Sequence, residues 1–274
     1  MREQRIYIAQ ETLKILQQGF YIAPSGKSVD ISNAQTTSEN SSYLITPGDG
    51  NDLISKMLPA GDVNTSFAVV NDSTVSAIID NANGNNSVGV LNFASAKNPG
   101  GGFLNGSMAQ EEALSYSSGL YNTQINHMEY YEKNKTCDTM MYTDFAIFSP
   151  DVVFFRDSNF NLLEEPVVAS VLTLPAVNMK QVIEKQENVS QANQAMKNRM
   201  CLSLSIFANE AIKTLILGAY GCGVFGNNPN GIAQWWKDLL VDENYDSFFD
   251  KIVFAVLDKP GGDNIKAFEY VFKV

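Results

Sequence analysis

Short apolar runs recur along the chain from residue 66 onward and alternate with segments whose apolar positions have helical spacing. FAVVN, SVGVLNFAS, DFAIFSPDVVFF, PVVASVLTLPA, KTLIL and KIVFAVLD are typical of buried strands. DSTVSAIIDNAN, AQEEALSYSSGLY, SQANQAMKNRMCLSLSIFANE, NGIAQWWKDLL and NIKAFEYVFK predict helices between and after them. Because near-continuous apolar strands need cover on both faces, this alternation predicts an α/β fold: a mixed or mostly parallel sheet with helices on both faces.

The N-terminal part has a different pattern. Residues 4–18 predict a helix that ends at Gly19, and FYIAP and SVDIS, on either side of SGK, predict a β-hairpin. Residues 33–52 are rich in Ser, Thr, Asn and Gly, and we expect a surface loop there. We therefore predict two units: a helical and hairpin extension over residues 1–65, packed on a core domain over residues 66–274.

A second polar stretch, residues 121–143, is rich in Tyr and interrupts the core domain. We predict a surface excursion, in which His127 is exposed rather than catalytic. Cys222 lies in a glycine-rich segment with no histidine nearby in the sequence, so we interpret it as a small residue in a crowded turn and not as a nucleophile. In QWWK, we expect at least one of Trp235 and Trp236 to lie in the core.

The charge and cysteine content exclude several classes of protein. A formal net charge of −11 argues against a basic nucleic-acid groove, because such grooves bind phosphates mostly through Lys and Arg. Three scattered cysteines and a single histidine have no metal-ligand spacing, so we expect neither a metal site nor a cofactor. The start of the chain is charged and no run reaches membrane-spanning length, so we predict a cytoplasmic protein without a membrane partner.

Two glycine-rich loops each follow an apolar strand: Gly100–Gly102 and Gly218–Gly226. Glycine lets successive backbone N–H groups turn toward one anion, and each loop leads into a helix whose N-terminus favours negative charge. In open α/β sheets, ligands bind beyond the carboxyl ends of the strands. Two such loops facing each other would suit a diphosphate, although either loop alone is commonly only a tight connection.

The second loop also fits the spacing of a dinucleotide-binding motif. Gly221, Gly223 and Gly226 satisfy G-x-G-x-x-G after a strand. The acidic residue of that motif ends the next strand, however, whereas Asp238 and Asp242 fall in or just after a predicted helix. The loop also leaves room for only one further strand. We therefore do not favour a nicotinamide-dependent dehydrogenase.

Gln110, Glu111 and Glu112 open the helix that follows the first glycine loop. Acidic residues in a first turn are commonly there only because they oppose the helix macrodipole favourably. Here the same turn lies at the predicted ligand site. A carboxyl group beside bound phosphates has its pKa raised by like charge, so it can be protonated near neutral pH and serve as a general acid. Adjacent helical residues point about 100° apart, so only one glutamate can face the reacting centre fully.

The string LNFASAKNPGGGFLNGSMAQEEALSYSSGLY resembles the glycine-triplet and QEE signature of poly(ADP-ribose) glycohydrolases, most closely the compact microbial type. GAYGCGVFGNNP is similar to the second phosphate-binding loop of that family, and VVNDSTVSAI to its early strand–helix unit. The resemblance implies a macrodomain-like fold with an N-terminal helical extension.

The resemblance also implies roles for single residues. Glu112 would be the catalytic acid and Glu111 its ribose-positioning neighbour, while Phe225 would pack on the terminal ribose. The two glycine loops would hold the diphosphate from opposite sides. The substrate-binding residues predicted in this way are Asn98, Gly100, Gly101, Gly102, Gln110, Gly221, Cys222, Gly223, Val224 and Phe225.

The activity implied by the resemblance is hydrolysis of ribose–ribose glycosidic bonds, which releases ADP-ribose from poly(ADP-ribose) or from an ADP-ribosylated protein. Because an acidic protein should not welcome a long polyanion, we expect action at chain ends. Two alternatives stay open. One is a non-catalytic ADP-ribose-binding macrodomain, which needs the glycine loops but no acid, and the other is hydrolysis of single ADP-ribose units.

Overall fold

The computed structural model describes residues 2–58, 64–82 and 87–273. The helices are α1 (Arg2–Gln18), α2 (Ser32–Ser41), α3 (Pro47–Lys56), α4 (Thr74–Asn81), α5 (Gln110–Ser117), α6 (Leu120–Ile125), α7 (Met128–Lys135), α8 (Met179–Glu184), α9 (Val189–Asn209), α10 (Pro229–Lys237) and α11 (Asp263–Phe272). The strands are β1 (Phe20–Ile22), β2 (Ser28–Asp30), β3 (Tyr43–Ile45), β4 (Ser66–Val70), β5 (Val88–Ala94), β6 (Ala146–Arg156), β7 (Leu162–Pro175), β8 (Thr214–Leu217) and β9 (Lys251–Ala255).

A seven-stranded mixed sheet, in the order β3-β6-β7-β5-β8-β9-β4, organises the described residues. The strands β7, β5, β8, β9 and β4 are parallel, and β6 runs antiparallel to both of its neighbours. The strand β5 lies in the middle of the sheet and is buried along nearly its whole length. This arrangement confirms the predicted α/β class and mixed sheet.

Helices cover both faces of the sheet. On one face, α9, α10 and α11 contribute Met196, Trp236 and Phe268 to the largest apolar cluster. On the other face, α4 and α5 contribute Ile78 and Leu114 to a second cluster. The strands supply both clusters, because successive side chains of a strand point to opposite faces. Trp236 is fully buried, which confirms the prediction of a core tryptophan.

The N-terminal part contains both predicted elements and three more. Helix α1 and the β1–β2 hairpin match the predicted helix and hairpin. The expected surface loop over residues 33–52 is wrong, since α2, β3 and α3 occupy it. Helix α2 packs against β6, and β3 pairs with β6 as an edge strand of the sheet. The boundary between residues 65 and 66 stays a prediction, with one strand of the sheet N-terminal to it.

The Tyr-rich segment is largely helical and partly internal. Helices α6 and α7 lie within it, and Tyr130 and Tyr131 are fully buried against each other with their ring centroids 4.7 Å apart. The expected surface excursion over residues 121–143 is therefore wrong for this part. His127 is half-buried, and its Nε2 lies 2.9 Å from the hydroxyl of Ser42.

Candidate active site

The candidate site lies where β5 ends and α5 begins. Strand β8 pairs with β5 only as far as Val90, which leaves the carboxyl end of β5 open on that side. The Gln110 side chain takes this position: its Oε1 accepts a hydrogen bond from the backbone N–H of Phe93, and its Nε2 donates to the carbonyl of Leu91, both at 2.9 Å. The first residue of α5 thus anchors the helix to the central strand. Both ends of this amide are engaged within the protein, and a role for Gln110 in substrate binding stays a prediction.

Glu112 lies against the first glycine loop. Its Oε1 accepts a hydrogen bond from the backbone N–H of Gly102 at 2.9 Å, and its side chain is 9% exposed. Gly101 has a positive φ of 59°, and a Cβ there would lie 2.6 Å from the same Oε1. Only glycine allows this backbone conformation together with so close an approach. The glycine triplet is therefore shaped around the Glu112 carboxyl group.

Glu111 is buried and held by three donors. Its Oε2 accepts from the backbone N–H of Ser95 at 2.6 Å, and its Oε1 accepts from Asn92 Nδ2 at 3.2 Å and Gln124 Nε2 at 3.0 Å. Burial raises the pKa of Glu111 to about 8, against the opposing effect of these hydrogen bonds, while Glu112 adds a smaller upward contribution. The two adjacent glutamates thus occupy different environments, one enclosed in a polar network and one at the glycine loop.

The partners of Glu111 were missed by sequence reasoning. Asn92 and Thr173 lie opposite each other on β5 and β7, are fully buried, and point to the face covered by α5. The amides of Asn92 and Gln124 both donate to the Thr173 hydroxyl at 3.2 Å. Polar residues inside the apolar runs VGVLNFA and SVLTLP were a usable signal for the two strand residues. Gln124, within a polar stretch, had none.

The second glycine loop borders the cavity that Glu111 and Glu112 also line. It follows β8, and the buried Asn227 fixes it by donating from Nδ2 to the carbonyls of Val177 at 2.8 Å and Gly221 at 3.1 Å. A Cβ added to Gly223 would have no atom within 4 Å, and Val224 is 82% exposed, so the tip of the loop is open. Such a tip leaves backbone groups free to meet a ligand.

Cys222 lies in this loop without the features of a nucleophile. Its Sγ lies 3.8 Å from the carbonyl of Tyr220, and burial raises the pKa of its thiol to about 12. A thiol with so high a pKa carries almost no thiolate at neutral pH. This environment agrees with the interpretation of Cys222 as a small residue in a crowded turn.

These elements enclose a cavity of about 560 Å³, a size typical of sites for small ligands. It brings together seven of the predicted residues, from the first turn of α5 and from the second glycine loop: Gln110, Glu111, Glu112, Gly221, Gly223, Val224 and Phe225. Within the described part of the chain, Asn98, Gly100–Gly102 and Cys222 do not border it, and Asn98 is exposed. The triplet reaches the site through its contacts with the Glu112 carboxyl.

The far walls of the cavity were not predicted. One part of the wall is formed by residues 72–75, which include the N-cap and the first residues of α4, together with residues 255–257, which begin at the last residue of β9. Another part is formed by Met108 and Ser158. Among the described residues that line the cavity there is no Lys or Arg. An anionic ligand would therefore meet backbone N–H groups and helix N-termini rather than cationic side chains.

Two further absences concern the described residues only. Over residues 2–58, 64–82 and 87–273, no group of three or more His, Cys, Asp or Glu side chains could hold a metal ion. Over the same ranges, none of the helices has the length and apolar character needed to cross a bilayer.

The fold and the cavity define a class of protein: an α/β domain in which a carboxylic acid and one glycine-rich loop border a ligand cavity at the carboxyl end of the central strand, and another glycine-rich loop holds that acid. Residues 9–157 match the family model described as "Microbial-type PARG, catalytic domain", where PARG is poly(ADP-ribose) glycohydrolase. The chain belongs to this family. No curated protein sequence matches the chain significantly.

Solved structures agree with this assignment. The poly(ADP-ribose) glycohydrolase from Thermomonospora curvata is 36% identical, with a TM-score of 0.94 and coverage of 99% of this chain and 100% of that chain. The same enzyme bound to the inhibitor ADP-HPD has a TM-score of 0.90 at 36% identity, covering 98% and 99% of the two chains. The enzyme from Deinococcus radiodurans in complex with ADP-ribose is 35% identical, with a TM-score of 0.83, covering 87% of this chain and 97% of that chain.

Proposed function

We propose that the protein is a poly(ADP-ribose) glycohydrolase, which hydrolyses the ribose–ribose glycosidic bond and releases ADP-ribose. One observation carries the proposal: the Glu112 carboxyl lies in a cavity bordered by the second glycine loop, with one oxygen bonded to the backbone of the first. A carboxylic acid at that place can protonate the glycosidic oxygen of a sugar whose diphosphate is held by the second loop. The related enzymes bound to ADP-ribose and to ADP-HPD support the same substrate class.

The substrate would be held mainly by main-chain groups. The diphosphate would lie against the second glycine loop and the start of α4, where backbone N–H groups favour an anion without any cationic side chain in the cavity wall. Phe225, which lines the cavity, would pack against the terminal ribose. Glu111 would form a hydrogen bond with a ribose hydroxyl, since its Oε2 has one partner within the protein, Ser95 N–H, and one position left over.

Glu112 would supply the proton for bond cleavage. Its Oε1 is bonded to Gly102 N–H, and within the described residues its Oε2 has no hydrogen-bond partner, so that oxygen can carry a proton toward the substrate. The glycosidic C–O bond breaks as the leaving oxygen takes this proton, and positive charge develops on the terminal ribose as an oxocarbenium ion. The diphosphate stabilises that charge. The ionised Glu112 then takes a proton from a water molecule, whose oxygen bonds to the anomeric carbon, and the acid form is restored.

We further propose that the enzyme acts at chain ends and in the cytoplasm. A net charge of −11 disfavours long contact with a polyanion beyond the terminal unit. The three cysteines are free thiols, which favours a reducing compartment. Poly(ADP-ribose) or an ADP-ribosylated protein would be the partner, and ADP-ribose the product.

The test compares ADP-ribose release from poly(ADP-ribose) by the wild type, Glu112→Gln and Glu112→Ala, with ADP-ribose binding measured for all three. We expect release by the wild type, a loss of at least about 100-fold in both variants and retained binding. Glu132→Gln, at an exposed glutamate of α7, is the matched control and should keep full activity. Binding without release by the wild type would indicate a non-catalytic ADP-ribose-binding module, and full activity of Glu112→Gln would refute the assigned acid.

A further inference from the structure

One side-chain amide joins the two halves of the candidate site. Gln124 Oε1 accepts the backbone N–H of Gly100 at 2.8 Å, and Gln124 Nε2 donates to Glu111 Oε1 at 3.0 Å. Gln124 is fully buried on α6 and does not border the cavity formed by the described residues. It therefore contacts the first residue of the glycine triplet and Glu111 without bordering the cavity itself.

The orientation of this amide is fixed by its partners. A backbone N–H can only donate, so the oxygen of Gln124 must face Gly100 and its NH₂ group must face Glu111. The remaining N–H of that group points to the Thr173 hydroxyl at 3.2 Å. With both N–H groups and the oxygen engaged, Gln124 has no low-energy alternative in which the amide is reversed.

The same logic restricts Glu111. Asn92, whose Cα lies opposite that of Thr173 in the β5–β7 register, donates to the same Oε1 as Gln124 does. Both acceptor positions of Oε1 are thus filled, and the backbone N–H of Ser95 takes one position of Oε2. The one position left free for a further hydrogen bond is on Oε2, which faces the triplet, since a Cβ on Gly101 would lie 3.1 Å from it.

We propose that Gln124 is a positioning residue of this site, which holds the Glu111 carboxyl group and the Gly100 N–H in fixed relation so that Glu111 Oε2 is presented to a ribose hydroxyl. This assignment rests on the proposed function for the identity of the ligand, but the coupling between Gln124 and Glu111 is a property of the protein alone. Gln124 acts through Glu111 and the triplet and touches no reacting atom.

Among the described residues, the charged and titratable groups that face Glu111 come from two elements. On its own helix, Glu112 raises the pKa of Glu111. From α7, Tyr130 and Tyr131 interact electrostatically with Glu111 and are neutral at physiological pH, because burial raises their pKa values well above the ordinary range. Replacing Gln124 by glutamate would thus add a second buried carboxyl group in direct contact with Glu111. The two would ionise fully only against strong mutual repulsion.

The experiment uses Gln124→Met, which keeps the length of the side chain but removes all three hydrogen bonds, and Gln124→Glu. For Gln124→Met we expect kcat for ADP-ribose release to fall roughly 10- to 100-fold, with KM changed less than about threefold, as for other residues that orient a reactive group. The Glu111 carboxyl, followed by carbon-13 NMR of glutamate-labelled protein and assigned with Glu111→Gln, should titrate at a higher pH, since the charged form loses a donor.

For Gln124→Glu we expect activity that recovers as the pH falls, because one shared proton restores a donor between the two carboxyls. Gln35→Glu is the matched control: Gln35 is also a buried glutamine, on α2, and bonds Glu39 and the carbonyl of Gly119 rather than Glu111. Its pH profile should keep the wild-type shape. Should Gln124→Met fail to fold, the contrast between these two glutamate variants carries the test.

Two outcomes would overturn the proposal: wild-type kcat and an unchanged Glu111 titration in Gln124→Met, or identical pH profiles for Gln124→Glu and Gln35→Glu. Failure of the proposed function gives a different result. In that case the wild type releases no ADP-ribose, while the shift of the Glu111 titration in Gln124→Met still reports whether Gln124 holds this carboxyl group.

Discussion

Gly101 and Glu112 approach each other so closely that a single added methyl group would lie 2.6 Å from the Glu112 Oε1. Gly101 belongs to the loop after β5, and Glu112 belongs to the first turn of α5. The contact therefore joins this loop to the helix that follows it. The carboxyl group of Glu112 is therefore placed by main chain on one side and by its helix on the other.

Replacing Gly101 by alanine should displace the Glu112 carboxyl. The new Cβ would clash with Oε1, and the positive φ of 59° adds about 1–2 kcal/mol of backbone strain. Because a shift of about 1 Å in a catalytic group can cost two orders of magnitude, we expect kcat for ADP-ribose release to fall about 100-fold. Steady-state kinetics with poly(ADP-ribose) and a thermal melt of the same sample provide the measurement.

Gly231→Ala is the matched control for that substitution. Gly231 lies in α10, where a Cβ would come no closer than 4.0 Å to Asn228 and alanine has the better helix propensity. We expect unchanged activity and a free energy of unfolding equal to or up to about 1 kcal/mol above that of the wild type. A Gly101→Ala enzyme as active as Gly231→Ala would show that the contact with Glu112 has no part in placing the acid.

Glu111 should make the protein less stable as the pH rises from about 4.5 to about 8. Its pKa is raised from 4.5 to about 8 in the folded state, so over this interval the folded chain retains a proton that the unfolded chain has lost. The unfolded state binds fewer protons there, and the free energy of unfolding falls with increasing pH, by on the order of 1 kcal/mol per pH unit. Urea denaturation across the interval measures the slope.

The slope due to Glu111 is isolated by subtracting the curve of Glu111→Gln, which does not titrate. We expect the difference between wild type and Glu111→Gln to decline through the interval and to level off on both sides. Glu132→Gln, at an exposed position, should give a flat difference. A flat difference for Glu111→Gln as well would mean that its three hydrogen bonds fully offset the effect of burial.

Arg156 should be a main attachment of α1 to the sheet. It is 3% exposed, and its guanidinium bonds Glu11 at 2.6 Å, the Thr12 hydroxyl at 3.3 Å and the carbonyl of Phe160 at 2.8 Å. Arg156→Met leaves these acceptors without their donor. We expect a loss of about 2–4 kcal/mol in the free energy of unfolding, together with faster proteolysis within residues 2–18.

The exposed pair Lys27–Glu165 provides the comparison for Arg156. Its N···O distance is 3.8 Å, with side chains 64% and 82% exposed, so Lys27→Met should change stability by less than about 0.5 kcal/mol. Equal effects of Lys27→Met and Arg156→Met would contradict the assigned attachment.

Binding of poly(ADP-ribose) should depend only weakly on salt. Counterion release scales with the number of phosphates paired with Lys or Arg, and no such side chain lines the cavity of the described structure. For an enzyme that binds one terminal unit we expect log K to fall with log salt at a slope no steeper than about −2. A titration from low to physiological salt checks this, and a steep slope would indicate contact with many units along the polymer.

The sheet could be predicted from the sequence because its strands are almost wholly apolar. FAVVN covers β4 except for its first residue, Ser66, and the runs KIVFAVLD and SVGVLNFAS contain β9 and β5. Helix α2, SNAQTTSENS, could not be predicted in this way, since it has no apolar face and consists mostly of Ser, Thr and Asn, which disfavour helix interiors. It is helical because it packs on β6, with Gln35 and Ser38 buried. Tertiary packing overrides weak local preference there.

The residues of the candidate site likewise fall into those that the sequence predicted and those that it did not. Glu111, Glu112 and both glycine loops were predicted, because glycine in series and acids in a first turn are conspicuous. Gln124 was not, because its importance lies in what it bonds across the fold, and Thr173 had only the weak signal of a polar residue inside an apolar run. Neither is close in sequence to Glu111, and hydrogen-bond partners at such separation follow no motif.

The central place of β5 bears on how the protein loses activity. Three strands lie on each side of β5 in the sheet. Local opening of the edge strand β3 or β4 therefore leaves the hydrogen bonds of β5 with β7 and β8 intact. The backbone that positions Glu112 is therefore unaffected by partial opening of the edge strands. Heat inactivation should then coincide with cooperative collapse of the whole sheet rather than precede it.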